Sequence, residues 1–457
     1  TLSLHDALPI SDDLKEVPTC MVNGRRLFYA VGTVSWDSDH RRIRNPYSDY
    51  GYYFLTESDD EPATIDEATF ISNVYPSADD NHSLYEVDDY AWYASGCNLY
   101  DAKAFTIGEA RNYTLTGNNG NGSVTVVLTA DAPSTAKVSI NGEEVGSLST
   151  ASLTTYDAMR VASRTFTTDN LQASNQITIT QTGGGTMRLD YISLYNETPV
   201  AAPDLATASF PVPEYVYQIT NQDHHADTAV DMVIIIPTSQ KLLSQAERIK
   251  QLHEERDAMR VRIVPADELF NEFSSGTPDA NAYRRYLKML YDRAATDADM
   301  PRYLLLFGDG AWDNRMLTSA WSTETPDDYL LCYESENSYS ATDSYVSDDF
   351  YCMLDDGEGV RLVSGDKPDV GVGRFPVRTA DEAKIMVDKQ IDYVSNTYAG
   401  SWQNVIVAMG DDGNENQHMD DANAMAKMVE TNYPSYVVKR VMWDAYNRVA
   451  SATGNTY

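Results

Sequence analysis

The chain has 457 residues, with 34 Lys and Arg against 69 Asp and Glu, a formal net charge of -35. That length holds two or three domains with sizeable cores; so acidic a surface, with no Lys/Arg stripe, repels polyphosphate and argues against a nucleic-acid partner. No apolar run approaches the ~20 residues that span a bilayer, and the cysteines Cys20, Cys97, Cys332 and Cys352 form no CxxC pair, which argues against a zinc knuckle or a disulfide-dense scaffold while leaving room for one or two disulfides.

Thr1 to Ile10, TLSLHDALPI, resembles the reading-frame translation of a sequencing adapter and is set apart from the fold as a scar. Residues 11–200 read as a β-rich region. Leu27 to Val31 is a short candidate strand, and the aromatic cluster Tyr90-Ala91-Trp92-Tyr93 reads as core filling rather than as a sugar-stacking platform. From residue 110 to 197 the β signal is strongest. Val124 to Leu128 and Ala136 to Ile140 are strands, and Asn141-Gly142 marks a tight hairpin, because both central positions of that turn need positive φ. Gln176 to Thr180 and Met187 to Leu194 alternate with period two and are linked through Gly183-Gly184-Gly185. The expectation is an antiparallel β-sandwich with one face wet.

Residues 201–230 form a Pro-rich connector. In it Asp223-His224-His225 suggests metal, yet neighbours in an extended segment point to opposite faces, so a structural hydrogen-bonding role is favoured. Residues 231–378 then change rhythm. Met232 to Ile236, Val261 to Val264 and Tyr303 to Phe307 are apolar runs separated by helix-length segments, the pattern of a parallel sheet buried on both faces. The first helix places Leu242, Ala246, Ile249, Leu252 and Arg256 near one stripe, with His253 at its edge. Thr277-Pro278 is read as the N-cap and first position of the next helix, whose Tyr283, Tyr286, Leu287, Leu290 and Tyr291 face the sheet. Residues 313–366 form an acidic, turn-rich insertion, read as a solvated loop with a Ca²⁺ site as the alternative.

Asp369 to Pro376 is a further strand, whose glycines are spaced unlike a dinucleotide loop. Thr379-Ala380-Asp381-Glu382 is a capping box, and its helix turns Ala383, Met386, Val387, Ile391 and Val394 inward. A second α/β unit, residues 379–457, contains the strands Asn404 to Met409 and Tyr436 to Val441. Between them an EF-hand started at Asp412 fails, since Gln417 stands at the turn glycine and Asn423 at the final Glu; Asp411, Asp412 and Asn414 remain weak Ca²⁺ candidates. Ligands of open parallel sheets collect outside the C-terminal strand ends, so Asp309 and Asp411 are candidates for lining a cleft, with helix capping as the alternative.

Several segments together resemble the gingipain family of cysteine peptidases: Ile234-Ile235-Ile236-Pro237, Phe270 to Gly276, Leu290-Tyr291-Asp292-Arg293, Leu306 to Gly310 and Gly373 to Arg378. Within it they are most similar to the branch that acts as cell-surface signal peptidase, or sortase, of the type IX secretion system. The resemblance implies a caspase-like fold of two α/β subdomains behind the β-region, with the second subdomain truncated. It implies a Cys-His dyad that needs no cofactor, with structural Ca²⁺ left open. The implied partners are exported proteins with C-terminal sorting domains, a lipopolysaccharide acceptor and outer-membrane components of the system, at the outer surface of a Gram-negative bacterium. The chain departs from the family at its chemistry. The family's His-Gly pair is missing from the sequence, and Pro237, Asp309 and Asp411 occupy the strand exits. No catalytic residue is therefore assigned, and the dyad is expected beyond Tyr457. Two other readings stand beside this one: a secreted gingipain-like endopeptidase, and a non-enzymatic surface protein whose β-domain binds a glycan or a partner.

Overall fold

The computed structural model describes residues 15–56, 61–219, 222–362, 364–447, 449–451 and 454–456. The TLSLHDALPI segment lies outside them. The chain divides into two compact units, residues 1–384 and 385–457.

The first unit opens with two short hairpins, Cys20–Val22 with Arg25–Leu27 and Val34–Trp36 with Arg42–Arg44. The strand expected over 27–31 is corrected here. Its pairing ends where Cys20 faces Leu27, and Val31 is 82% exposed, with no facing strand to cover it.

The sandwich follows. Its strands are β1 (His82–Glu86), β2 (Ala110–Thr116), β3 (Gly120–Ala130), β4 (Thr135–Ile140), β5 (Glu143–Ser149), β6 (Arg160–Leu171), β7 (Ser174–Gly183) and β8 (Met187–Asn196). They form two four-stranded antiparallel sheets, ordered β6-β3-β8-β1 and β2-β7-β4-β5. Alternating residues such as Val124, Val126, Leu128, Val138, Ile140, Ile177 and Ile179 fill one apolar core between them. Asn141 and Gly142 turn the β4–β5 hairpin with φ of 49° and 86°, as their sequence requires. The aromatic cluster packs outside this core. Trp92 Nε1 donates to Thr129 Oγ1 at 2.9 Å, and the Arg188 guanidinium lies 3.7 Å from the Tyr90 ring centroid.

The α/β part contains β9 (Met232–Ile236), α1 (Leu243–Asp257), β10 (Val261–Pro265), α2 (Ala266–Phe273), α3 (Asn281–Asp292), β11 (Tyr303–Phe307) and β12 (Gly371–Phe375). The sheet is all parallel, in the order β10-β9-β11-β12, with Ile234 opposite Ile263 and Leu305. Every residue of β9 is buried, which is why that run is continuously apolar instead of alternating. Leu242 at the cap of α1 and Ala246 and Ile249 within it are buried, whereas Arg256 reaches solvent. Helix α3 starts later than its sequence suggests: Ala280 is its cap, and Asp279 Oδ1 accepts from the Asn281 N–H. Thr277 instead closes the preceding turn by donating its N–H to Ser274 O.

Residues 313–366 are not a solvated loop. Ser338, Tyr351 and Cys352 are fully buried. The segment joins the β-region to the sheet: Cys97 N–H donates to Ser335 O at 2.9 Å, and the Tyr100 hydroxyl meets Ser338 Oγ at 2.8 Å. Arg315 pairs with Asp49 at 2.9 Å and Asp88 at 2.5 Å. Gly96 sits at φ +84°, and a Cβ there would lie 2.1 Å from Asn337 O, so this close approach requires glycine. Some of its own carboxylates also meet cations outside it, Asp348 with Arg374 and Asp328 with Lys241.

Helix α4 (Ala380–Val394) is opened by the expected capping box: Glu382 Oε2 accepts from the Arg378 N–H at 2.8 Å, and Glu382 N–H donates to Thr379 Oγ1 at 3.2 Å. In the second unit β13 (Val405–Gly410) pairs in parallel with β14 (Val437–Met442), joined through α5 (Gln417–Asn432). All four cysteines are free thiols, so neither of the disulfides left open by the sequence forms. Among the described residues no helix is long and apolar enough to cross a membrane.

Candidate functional site at the strand exits

In a parallel sheet each strand delivers the chain to one rim, where backbone groups lose their ladder partners. Here that rim is held by a small set of contacts. At the exit of β11, Asp309 N–H donates to Val377 O at 3.1 Å, and Asp309 O accepts from Leu330 N–H at 2.9 Å. The Asp309 carboxylate accepts from Gly310 N–H at 3.0 Å. No helix begins in the turns that follow, so Asp309 is half-buried at the rim and caps nothing. Beside it Arg374 of β12 makes a two-pronged pair with Asp348, at 2.9 and 2.7 Å, and donates to Gly308 O at 3.2 Å. At the exit of β9, Ser239 N–H reaches Asp327 O and Lys241 pairs with Asp328 at 2.6 Å. The insertion thus covers the rim.

Cys332 lies in this rim, but not as a nucleophile would. Gly310 makes room for it: a Cβ there would sit 2.3 Å from Cys332 Sγ. Burial pushes the Cys332 thiol up to about 12, against the opposing charge of Arg374. Burial also raises Cys352 to about 12 and Cys97 to about 11, and it raises Cys20. An active thiol needs the opposite shift, toward thiolate.

In the second unit, Asp411 follows β13. Its Oδ1 accepts from Gly413 N–H at 3.1 Å and from the His418 ring in the first turn of α5. The His418 hydrogen bond holds the Asp411 carboxyl below its usual range. The helix cap itself is Asn416, so the capping reading of Asp411 is also corrected; it steadies α5 through His418. Asn414 Nδ2 meets the other His418 nitrogen at 3.1 Å. Two of the three Ca²⁺ candidates, Asp411 and Asn414, are therefore turned to an imidazole. Asn414, Glu415 and Asn416 are successive left-handed residues, a strained run that no glycine pattern announces. Among the described residues no three His, Cys, Asp or Glu side chains gather as a metal site would need.

The two adjacent histidines of the connector are structural. His224 Nδ1 lies 3.0 Å from Asp227 and Nε2 lies 2.7 Å from Glu268, while His225 Nδ1 lies 3.0 Å from Glu272. Sequence reasoning missed the Arg374–Asp348 pair and the packing of Cys332 on Gly310. The only signal for either was Gly310 and Arg374 within the family-like motifs.

Comparison with known proteins agrees with this geometry. Residues 225–457 match Peptidase family C25, and the chain belongs to that family, the gingipain family. The crystal structure of dimeric latent PorU from Porphyromonas gingivalis is similar at 25% identity with a TM-score of 0.68, over 85% of this chain and 45% of that one. The chain therefore spans under half the length of that solved relative. That likeness bears out the expected caspase-like α/β domain behind a β-region. A family 35 carbohydrate binding module from Clostridium thermocellum shares 19% identity over 25% of this chain and 87% of the module, at a TM-score of 0.17, too low to carry an argument. No curated protein matches.

Proposed function

We propose that the whole protein is a PorU-like cysteine endopeptidase and transpeptidase. It removes the C-terminal sorting domain of type IX secretion cargo and joins the cargo to a surface lipopolysaccharide. Its place is the cell surface, at the outer membrane, beside other components of that system. Membership of Peptidase family C25 supports the peptidase class, and the PorU-like fold over 85% of the chain supports the branch. We further propose that the residues of this chain are the scaffold of that enzyme and not its reactive pair. The observation that carries this is the state of the thiols: Cys332, the cysteine beside the β11 exit, is buried against Gly310, and burial raises its thiol to about 12. Acyl transfer by cysteine needs a thiolate next to an imidazole, with oxyanion donors on the backbone.

Two experiments separate the parts of the proposal. The purified chain, assayed on a peptide library with and without a thiol alkylator, shows no thiol-dependent cleavage. Turnover abolished by replacing any one of its four cysteines with Ala sinks the scaffold reading. Disrupting the gene in its host leaves cargo with sorting domains attached, read by mass spectrometry of surface proteins; normal trimming sinks the sortase reading.

A further inference from the structure

Helix α4 ends in a loop built to hold its side chains still. Asn396 takes the left-handed position, at φ 55°, and two backbone bonds close the helix around it. Asn396 N–H donates to Tyr393 O at 3.1 Å, and Thr397 N–H donates to Asp392 O at 2.9 Å. Beyond the turn, Gln403 ties the loop together. Its Nε2 donates to Asn396 Oδ1 at 2.6 Å, and its Oε1 accepts from Gly400 N–H at 3.3 Å. Trp402 Nε1 donates to Tyr398 O at 2.9 Å, which fixes the plane of the indole. Gly400 makes the room: a Cβ there would lie 3.0 Å from Trp402 Cδ1.

This braced loop presents its aromatic rings to solvent. Tyr393, Tyr398 and Trp402 are 69%, 72% and 55% exposed, and they line one open groove of about 370 Å³ within the second unit. That volume falls in the range of small-molecule sites. Rings already held in place lose little entropy when a ligand covers them, which is how recognition surfaces use Tyr and Trp. The rest of the lining is polar: Lys389 and Asp392 on the last turns of α4, with Asn396 and Gln403 beside them. One lysine and one aspartate leave the groove neutral, on a chain whose net charge is -35.

We propose that this groove binds a neutral pyranose chain, with a sugar ring stacked on Trp402. A pyranose offers an apolar face of C–H groups to the rings and a rim of hydroxyls that both donate and accept, which Asn396, Gln403, Asp392 and Lys389 match. A cation would call for the aspartate without the lysine, and an anion for the reverse. An apolar peptide would bury these polar groups without partners. The lining alone carries this inference, whatever cargo the enzyme trims. Two sources supply such chains, the cell's own surface polysaccharide and glycans from outside the cell.

The test runs the purified chain in native gels that hold dextran, mannan, or the neutral polysaccharide freed by mild acid from the host's lipopolysaccharide, and in a gel that holds heparin. Retardation is expected in at least one neutral gel, and which gel produces it separates the two sources. Trp402→Ala weakens that retardation at least about tenfold. Tyr433→Ala, at an exposed aromatic of the same unit outside the groove, leaves it unchanged. No retardation in any neutral gel overturns the proposal, as does retardation that survives Trp402→Ala or that heparin alone produces. Size-exclusion chromatography of the same proteins checks a rival occupant: a wild-type dimer that Trp402→Ala splits means that a second copy fills the groove, and this too overturns the proposal. Where Trp402→Ala does not fold, hydroxyl-radical footprinting of the wild type decides. Bound glycan lowers oxidation of Trp402 and Tyr398 relative to Tyr433; an unchanged footprint overturns the proposal.

Discussion

The two parallel sheets begin from the same kind of sequence and end in different environments. Met232 to Ile236 and Val405 to Met409 are both short β-branched or apolar runs followed by a helix. In the first, all five residues are buried; in the second, Val407 is 58% and Met409 70% exposed. The difference is one of neighbours. Strand β9 has a hydrogen-bonded strand on each side and helices over the sheet, whereas among the described residues β13 pairs with β14 alone. An apolar run thus states a capacity to be buried on two faces, and the surrounding elements decide whether that capacity is used.

Buried and exposed versions of the same side chain test this contrast. The largest effect is expected at the charged joint. Arg315→Ala removes one of the two arginines, the other being Arg44, that hold the carboxylates of Asp49 and Asp88, and lowers stability by about 3–5 kcal/mol, read as the urea midpoint. Arg440→Ala, which breaks the exposed pair with Glu430, leaves that midpoint unchanged. Equal losses would show that burial at the joint contributes nothing special. Next comes the apolar pair. Leu306→Ala in β11 loses about 3 kcal/mol, while Met409→Ala in β13 stays within about 0.5 kcal/mol. A comparable loss at Met409 would mean that β13 is covered in solution.

The smallest and most condition-dependent effect is at the buried His224, set against the half-exposed His418. Burial opposes the charge of His224, but its hydrogen bonds to Asp227 and Glu268 outweigh it and hold the ring at about 9. The folded state therefore binds this proton more tightly than the unfolded one, whose value is near ~6.5. The stabilisation, about 2–3 kcal/mol, is fully present below pH ~6.5 and is lost as pH rises through about 9. Comparing wild type with His224→Gln across pH 6–10 should show the gap in urea midpoint closing toward the alkaline end. A gap that widens with pH would mean that the imidazole is held neutral.

Much of the fold was legible in the chain. The period-two runs of the sandwich, the Asn141-Gly142 turn and the Thr379–Glu382 capping box are local devices, and each appears where its residues stand. The start of α3 was misplaced because Thr277-Pro278 offers a good cap, yet the helix begins only after Ala280, with the Asp279 carboxylate taking the Asn281 N–H. The site was less legible. Asp309 and Asp411 were found by their position after apolar runs, but their partners, Val377 and Leu330 for one and His418 for the other, follow no periodic rule. The acidic insertion was misread because composition counts charges without their counterions.

What the sequence determined by itself was every feature set by backbone period and φ: which runs become strands, where the hairpin turns, where a helix can begin. Those depend on residues within a few positions of one another. Only the tertiary structure decided that an acid-rich segment is buried, that Cys332 is held against Gly310, and that Arg315 meets an aspartate 266 residues away. The physical reason is that burial and ion pairing are properties of encounters between distant segments, and a charge shows its cost or its benefit only once its partner has arrived.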